Sequence, residues 1–139
     1  MAIAPDALPD SALEFLTERH LATLTLLRPD GTPQVTPVGV TWDPVAGLAR
    51  VITWSGSQKT KILERTDGGR AAVCQVDRGR WITLEGHAVV TGDPERAVEA
   101  VRRYSERYSP PRRDRGPDRR AIEITVDRVL GSGSVIGSA

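Results

Sequence analysis

Arg70-Ala71-Ala72-Val73-Cys74-Gln75-Val76-Asp77-Arg78-Gly79-Arg80-Trp81-Ile82-Thr83-Leu84-Glu85-Gly86-His87-Ala88-Val89-Val90-Thr91 is the stretch on which the fold turns. Apolar residues recur every second position on both sides of Arg78-Gly79, the period of strands, and a two-residue connection joins antiparallel neighbours. The second strand, Arg80 to Thr91, sets Ile82, Leu84, Ala88 and Val90 on one face and Trp81, Thr83, Glu85 and His87 on the other, so one face is core and the other is not. On the first strand Cys74 shares a face with Ala72 and Val76, which predicts a buried, inert thiol.

Working outward, Asp10 reads as the N-cap of a helix to about Arg19, followed by a strand from His20 to Arg28. Pro29-Asp30-Gly31 turns the chain into an antiparallel strand from Thr32 to Trp42, and Asp43 to Gly47 turns it into another from Leu48 to Trp54. Ser57 caps a helix to about Arg65, which Thr66-Asp67-Gly68-Gly69 breaks. Beyond the hairpin, Asp93-Pro94-Glu95 joins an N-cap, a proline at the first helical position and an acid in the first turn, opening a helix to about Tyr108. Ala97, Val101, Tyr104 and Tyr108 recur at helical spacing as its packed side. Ser109 to Asp118, rich in Pro and Arg, reads as a flexible loop. Ala121 to Val129 is the last strand, with Ile122, Ile124 and Val126 inward, and the Gly/Ser-rich tail from about Gly131 is expected to fray. Six strands joined mostly by hairpins predict a mainly β fold, a small antiparallel barrel; a parallel sheet needs longer crossovers.

A chain of 139 residues suits a single domain, 1–139. Its 19 basic and 18 acidic residues leave a net charge of +1, which speaks against nucleic-acid binding of the strongly basic kind. The beginning, MAIAPDALPD, lacks the basic and apolar regions of a signal peptide, and no apolar run approaches a membrane span, so a cytoplasmic, membrane-free protein is expected. One cysteine and two histidines make no metal-ligand spacing, and nucleotide-loop and nucleophile-elbow motifs are absent from the sequence. The basic residues are 17 Arg and two Lys; both lysines, Lys59 and Lys61, stand in the first turn of the helix after Ser57. A helix N-terminus offers free N–H groups and positive potential, so lysines there are unfavourable unless an anion lies between. Phosphate suits the place, with hydroxyls at Ser55, Ser57 and Thr60; a solvated basic turn is the plain alternative.

His20-Leu21-Ala22-Thr23-Leu24, Pro29 to Val38, Arg50-Val51-Ile52-Thr53, Ser57-Gln58-Lys59 and Arg80 to Ala88, in this order, resemble the flavin/deazaflavin split β-barrel superfamily, which includes the pyridoxamine-phosphate oxidases. The short Ser57-Gln58-Lys59 and Arg80-Trp81 segments look most like its coenzyme F420-dependent reductases, the small biliverdin reductases among them. The resemblance implies a dimeric six-stranded antiparallel split β-barrel whose two sites are shared between subunits of a homodimer. It implies Thr36, Pro37 and Val38 along the deazaflavin ring, Thr53, Ser55, Ser57 and Lys59 at the phosphate, and Lys61 near the glutamyl tail. Arg80 and Trp81 approach from a neighbouring strand or chain, and no protein residue acts as nucleophile because the cofactor supplies the hydride. Arg78, Arg80 and those of Arg112 to Arg120 are candidate contacts for the propionates of a bilin acceptor, with a solvated basic loop as the plain alternative for the last group; the proton comes from solvent or with the help of a nearby arginine such as Arg78.

The flavin oxidases of this superfamily carry an Arg-x-Val-Leu-Leu-Lys strand and a C-terminal arginine for the pyridoxal phosphate. Here Arg50-Val51-Ile52 continues as Thr53-Trp54 and the tail Gly131-Ser132-Gly133-Ser134 has no arginine, which speaks against pyridoxamine oxidation. The expectation is an F420H2-dependent reductase of a conjugated acceptor, biliverdin to bilirubin. The alternatives are a non-enzymatic carrier of FMN, F420 or a tetrapyrrole, and an FMN-dependent oxidase.

Overall fold

In the computed structural model, which describes residues 2–137, one curled sheet carries the short helices. The elements run β1 (Ala2–Ile3), α1 (Asp10–Thr17), β2 (Ala22–Leu27), β3 (Pro33–Val38), β4 (Val40–Asp43), β5 (Leu48–Trp54) and α2 (Gln58–Thr66). Then follow β6 (Gly69–Asp77), β7 (Arg80–Thr91), α3 (Pro94–Arg107), β8 (Arg119–Gly131) and α4 (Gly133–Ile136). Strand order is β3-β2-β6-β7-β8-β5-β4, every pair antiparallel, with β1 added on β8. The expected mainly β split barrel is present, built from eight strands among the described residues rather than six.

One of the two additional strands is β1, and the other comes from a break. The run expected as one strand from Thr32 to Trp42 is divided at Gly39: Val38 pairs with Ala22 of β2, whereas Val40 pairs with Val51 of β5. A Cβ at Gly39 would lie 2.7 Å from Tyr104 Cε2 and 2.9 Å from Tyr108 Cε2, so only glycine lets the helix rest on the backbone there. The two tyrosine rings stack with centroids 5.0 Å apart. Tyr108 is more than packing, because its hydroxyl donates to His20 O at 2.7 Å and accepts from Val40 N at 3.1 Å, supplying a partner where the strand is broken.

Alternation decides the interior. Leu24, Leu26, Val51, Val73, Ile82, Leu84, Ile122 and Ile124 are all buried, each contributing about 1.5–3 kcal/mol. On β7 the inward and outward residues fall as their spacing predicts. On β6 the inward set is Ala71, Val73 and Gln75, so Cys74 lies on the outer, half-exposed side between Thr23 and Thr83, correcting the expectation of a buried thiol.

Three further expectations are corrected. Asp10 is the first helical residue behind Pro9 rather than a side-chain cap, α1 stops at Thr17, and His20 precedes β2. The loop 109–118, expected as irregular, contains a short 3-10 turn at Gly116–Asp118 and hydrogen bonds at its end: Ser55 N donates to Asp118 O, Arg119 Nη2 to Arg113 O, and Gly116 N to the Asp114 carboxylate. The tail does not fray at Gly131, since β8 continues to that residue and α4 buries Val135 and Ile136 in the core; the last two residues of the predicted tail lie outside the described residues. Ser11 Oγ fastens α1 to α4 through Val135 O at 2.6 Å.

Helix α3 lies across β4, β5 and β8 and is held by two buried polar clusters. Asp43, closing β4, accepts from Val45 N and Ala46 N and pairs with Arg50 at 2.9 Å and Arg103 of α3 at 3.0 Å. Burial pushes the Asp43 carboxyl up, yet the Arg50 hydrogen bond, the Ala46 amide and the Arg103 charge outweigh it and hold it below the usual carboxylate range. At the helix end Arg107 donates to Glu18 O, Val40 O and Gln75 Oε1, while Gln75 Nε2 donates to Phe15 O. Carbonyl groups thus take the place of a carboxylate around a half-buried guanidinium.

Candidate functional site

The end of β5 and the start of α2 are joined by Ser55-Gly56-Ser57, a turn whose polar atoms form one chain. Thr53 Oγ1 donates to Ser57 Oγ at 2.6 Å, Ser57 Oγ to Thr60 Oγ1 at 3.1 Å, and Thr60 Oγ1 to Trp54 O at 2.7 Å. Ser57 Oγ also accepts from Thr60 N, the N-cap expected from the sequence. The hydroxyl protons of Thr53, Ser57 and Thr60 are thereby committed inside the protein. The donors left facing outward are the first amide groups of α2 and the Lys59 ammonium.

Lys59 is half-buried, and that burial lowers its pKa; no carboxylate lies within salt-bridge distance of it among the described residues. It lines a cavity of about 380 Å³ with Thr53, Trp54 and Ser57 on one side and Arg112, Arg113, Arg115 and Arg119 on the other. Burial likewise lowers the pKa of Arg119, with the neighbouring Arg115 charge adding to it. Arg119 Nη1 rests on Thr53 O at 3.2 Å, and the Arg115 guanidinium lies 4.4 Å above the Trp54 ring. Trp54 is in turn pressed against Gly56, where a Cβ would fall 2.2 Å from the ring. Five cations around one cavity repel one another, and an anion relieves that repulsion together with the desolvation of Lys59.

The residues singled out from the sequence are therefore only partly gathered. Thr53, Ser57 and Lys59 share this cavity, and Ser55 borders it, its hydroxyl donating to Asp118 at 3.2 Å. Lys61 is exposed and outside the lining. Thr36, Pro37 and Val38 lie on β3 opposite Leu24, Thr23 and Ala22. Thr36 Oγ1 and its neighbour on the same face, Gln34 Oε1, are shut off from solvent with no protein partner among the described residues. Arg78, Arg80 and Trp81 stand at the β6–β7 hairpin. Arg80 is engaged with Asp77 at 2.6 Å and Glu18 at 3.1 Å and lies over the Phe15 ring, away from the Lys59 cavity of its own chain.

Sequence reasoning set Arg112, Arg113, Arg115 and Arg119 beside a bilin and missed their convergence on Lys59. Only the pairing of β8 with β5, which sets Arg119 opposite Trp54, reveals it. The one available signal was the confinement of so many arginines to the stretch just ahead of a strand. Among the described residues no group of three or more His, Cys, Asp or Glu side chains is placed to hold a metal ion.

Residues 8–133 match the family model described as pyridoxamine 5′-phosphate oxidase. A protein of Mycobacterium tuberculosis (strain CDC 1551 / Oshkosh) named F420H2-dependent biliverdin reductase is 48% identical over 132 residues, covering 95% of this chain and 93% of that protein. Among solved structures, one titled F420 reductase superimposes with a TM-score of 0.67 at 24% identity over 89% of this chain and 98% of the other. A conserved hypothetical protein of Mycobacterium tuberculosis gives 0.70 at 24% identity over 85% of this chain and 79% of that one. At such identities the two structures speak for the fold alone.

Proposed function

This chain belongs to the pyridoxamine 5′-phosphate oxidase family, and from that footing we propose that it is an F420H2-dependent reductase that passes a hydride to a conjugated acceptor, biliverdin to bilirubin. The observation that carries the reading is the half-buried Lys59, without a counter-charge among the described residues, at the start of α2, faced by the arginines of the loop 109–118. Support comes from the relative named F420H2-dependent biliverdin reductase, nearly half identical along almost the full length of both chains.

When bound, reduced F420 supplies the hydride, and the protein's part is to hold, orient and shield. Lys59 and the first amides of α2 take the phosphate, with Thr53 and Ser57 fixing the helix start behind it. The loop arginines take the acidic tail, a role Lys61 shares from the exposed side of the helix. The unpartnered Thr36 Oγ1 and Gln34 Oε1 suit polar ring atoms, which supports Thr36, Pro37 and Val38 as the ring's neighbours. Trp54, pinned between Gly56 and Arg115, keeps the cavity wall from closing on itself. A positioned hydride donor requires no protein nucleophile.

The functional unit is proposed to be a homodimer acting in the cytoplasm. Its support is the outer face of β3, β2, β6 and β7, where Val35, Leu27, Val76, Trp81 and Val89 are exposed and Val76 is paired directly with Trp81. A partner on this face would bring Arg78, Arg80 and Trp81 toward a shared site. No helix among the described residues is long and apolar enough to cross a membrane.

The test is an absorbance and fluorescence titration with F420 and with FMN in the same buffer, followed by F420H2 oxidation with and without biliverdin. The expected result is tighter binding of F420 and oxidation that depends on biliverdin. Tighter binding of FMN, with oxygen consumption, supports the oxidase alternative instead, and binding without turnover supports the carrier.

A further inference from the structure

Between α3 and the loop 109–118 lies a second cavity, of about 800 Å³, to which the contacts proposed for the cofactor assign nothing. Ala97, Val98 and Val101 of α3 form one wall, and Pro111 and Pro117 form the other. Among the described residues, Asp114 and Arg119 are its only charged lining residues. Its volume lies in the range of small-molecule sites, roughly 300–1,000 Å³.

Pro111 and Arg119 also line the Lys59 cavity, so the loop is a partition with an apolar chamber on one side and a cationic one on the other. Arg119 spans the partition. Its Nη1 and Nη2 are spent on Thr53 O and Arg113 O, and no carboxylate lies within salt-bridge distance of it among the described residues. A guanidinium backed by carbonyls, partly desolvated and bordering apolar walls, is matched by a ligand that brings its own carboxylate. The carbon-lined chamber would strip water from a glutamate chain without pairing its charges, so the cofactor's tail does not belong there.

We propose that this chamber binds an extended, conjugated carboxylate, with its apolar body between α3 and the loop and one carboxylate on Arg119. The choice of a bilin as that ligand rests on the reductase reading, whereas the chamber's selectivity for an apolar acid does not; no β3 residue lines the chamber, so it is assigned as a binding site for the bilin and not as the place of hydride transfer.

The test uses the full-length protein without F420, titrated with biliverdin and with biliverdin dimethyl ester and followed by bilin absorbance. Val98→Glu places a carboxylate on the apolar wall at a helix position 68% exposed, where packing is little disturbed; Val98→Gln controls for bulk. Expected are saturable biliverdin binding, an ester weaker by about tenfold or more, the loss of one charge-assisted contact, and a similar loss in Val98→Glu but not in Val98→Gln. F420 affinity should be the same in both variants and the parent. Backbone amide shifts give a measurement independent of any variant, and on biliverdin addition they should concentrate in residues 92–101 and 111–119. No binding, equal affinity for acid and ester, or shifts confined to other segments overturns the proposal. Because the bilin titrations and amide shifts are recorded without F420, they are separate from the oxidation assay: a protein that binds biliverdin here but does not oxidise F420H2 retains the site and loses the reductase reading, and the reverse result does the opposite.

Discussion

The guanidinium carbon of Arg115 lies 4.4 Å from the centroid of the Trp54 ring, joining the loop before β8 to the last residue of β5. A cation over an indole contributes about 0.5–1 kcal/mol at a partly exposed site. Its larger effect is to hold one wall of the Lys59 cavity. In Arg115→Ala we expect altered Trp54 emission and faster amide hydrogen exchange across residues 109–118, together with weaker F420 binding. Unchanged exchange would show that the backbone contacts at Asp118 and Arg113 hold the loop alone.

Lys59→Ala should lower F420 affinity by roughly tenfold to a hundredfold, the loss of a charge-assisted contact of about 1.5–3 kcal/mol, with the apo melting temperature preserved. The pKa of Lys59 is already lowered by burial, so removing its charge relieves desolvation in the apo protein. Lys61→Ala should lose less, and its loss should shrink further at high salt because its contact is exposed. Fluorescence titrations at two salt concentrations, run beside thermal melts, distinguish the two.

Asp43→Asn should destabilise the fold by about 3 kcal/mol, since it leaves the largely buried Arg50 against a neutral amide, while the part-exposed Arg103 keeps its pairing with Glu99. The native carboxyl is held below its unfolded value of about 3.9, so its contribution is complete above pH 4 and is lost as pH falls through the lower native value. Urea melts of both proteins between pH 7 and 2.5 should therefore converge only in the acid range. A gap that persists undiminished at the lowest pH would contradict the assignment.

Sedimentation of the parent should give twice 15.1 kDa. Trp81→Glu sets a charge on the apolar outer face beside Val76 and should shift the mass to that of one chain without a large change in melting temperature. A parent that sediments as one chain at micromolar concentration would remove the shared-site model.

The hairpin at Arg78-Gly79 and the caps at Ser57 and Asp93 were readable because each depends on neighbours in sequence: a period of two, or a side-chain oxygen three residues from the amide it meets. Gly39 was not, because what forbids a Cβ there is a pair of tyrosines more than sixty residues later. The side of Cys74 was missed for a related reason: Ala71 and Ala72 are too alike to fix the register, and Gln75, drawn inward by Phe15 O and Arg107, interrupts the apolar pattern. The helix start carrying Lys59 was legible from Ser57, whereas the loop arginines joined it only through strand pairing.

Gly39 also bears on the order in which the molecule can be made. Val38 and Val40 are two residues apart in the chain yet belong to the first and last strands of the sheet path, with β2, β6, β7, β8 and β5 between them. Each pairs locally, Val38 with β2 and Val40 with β5, but the two hairpins become the opposite edges of one sheet only when β6, β7 and β8 are in register between them, including β5 on β8, where Leu48 meets Thr125 and Trp54 meets Arg119. Closure is therefore a late event that rewards the chain only after most of its conformational entropy has been surrendered, the kinetic signature of a slow, highly non-local folder.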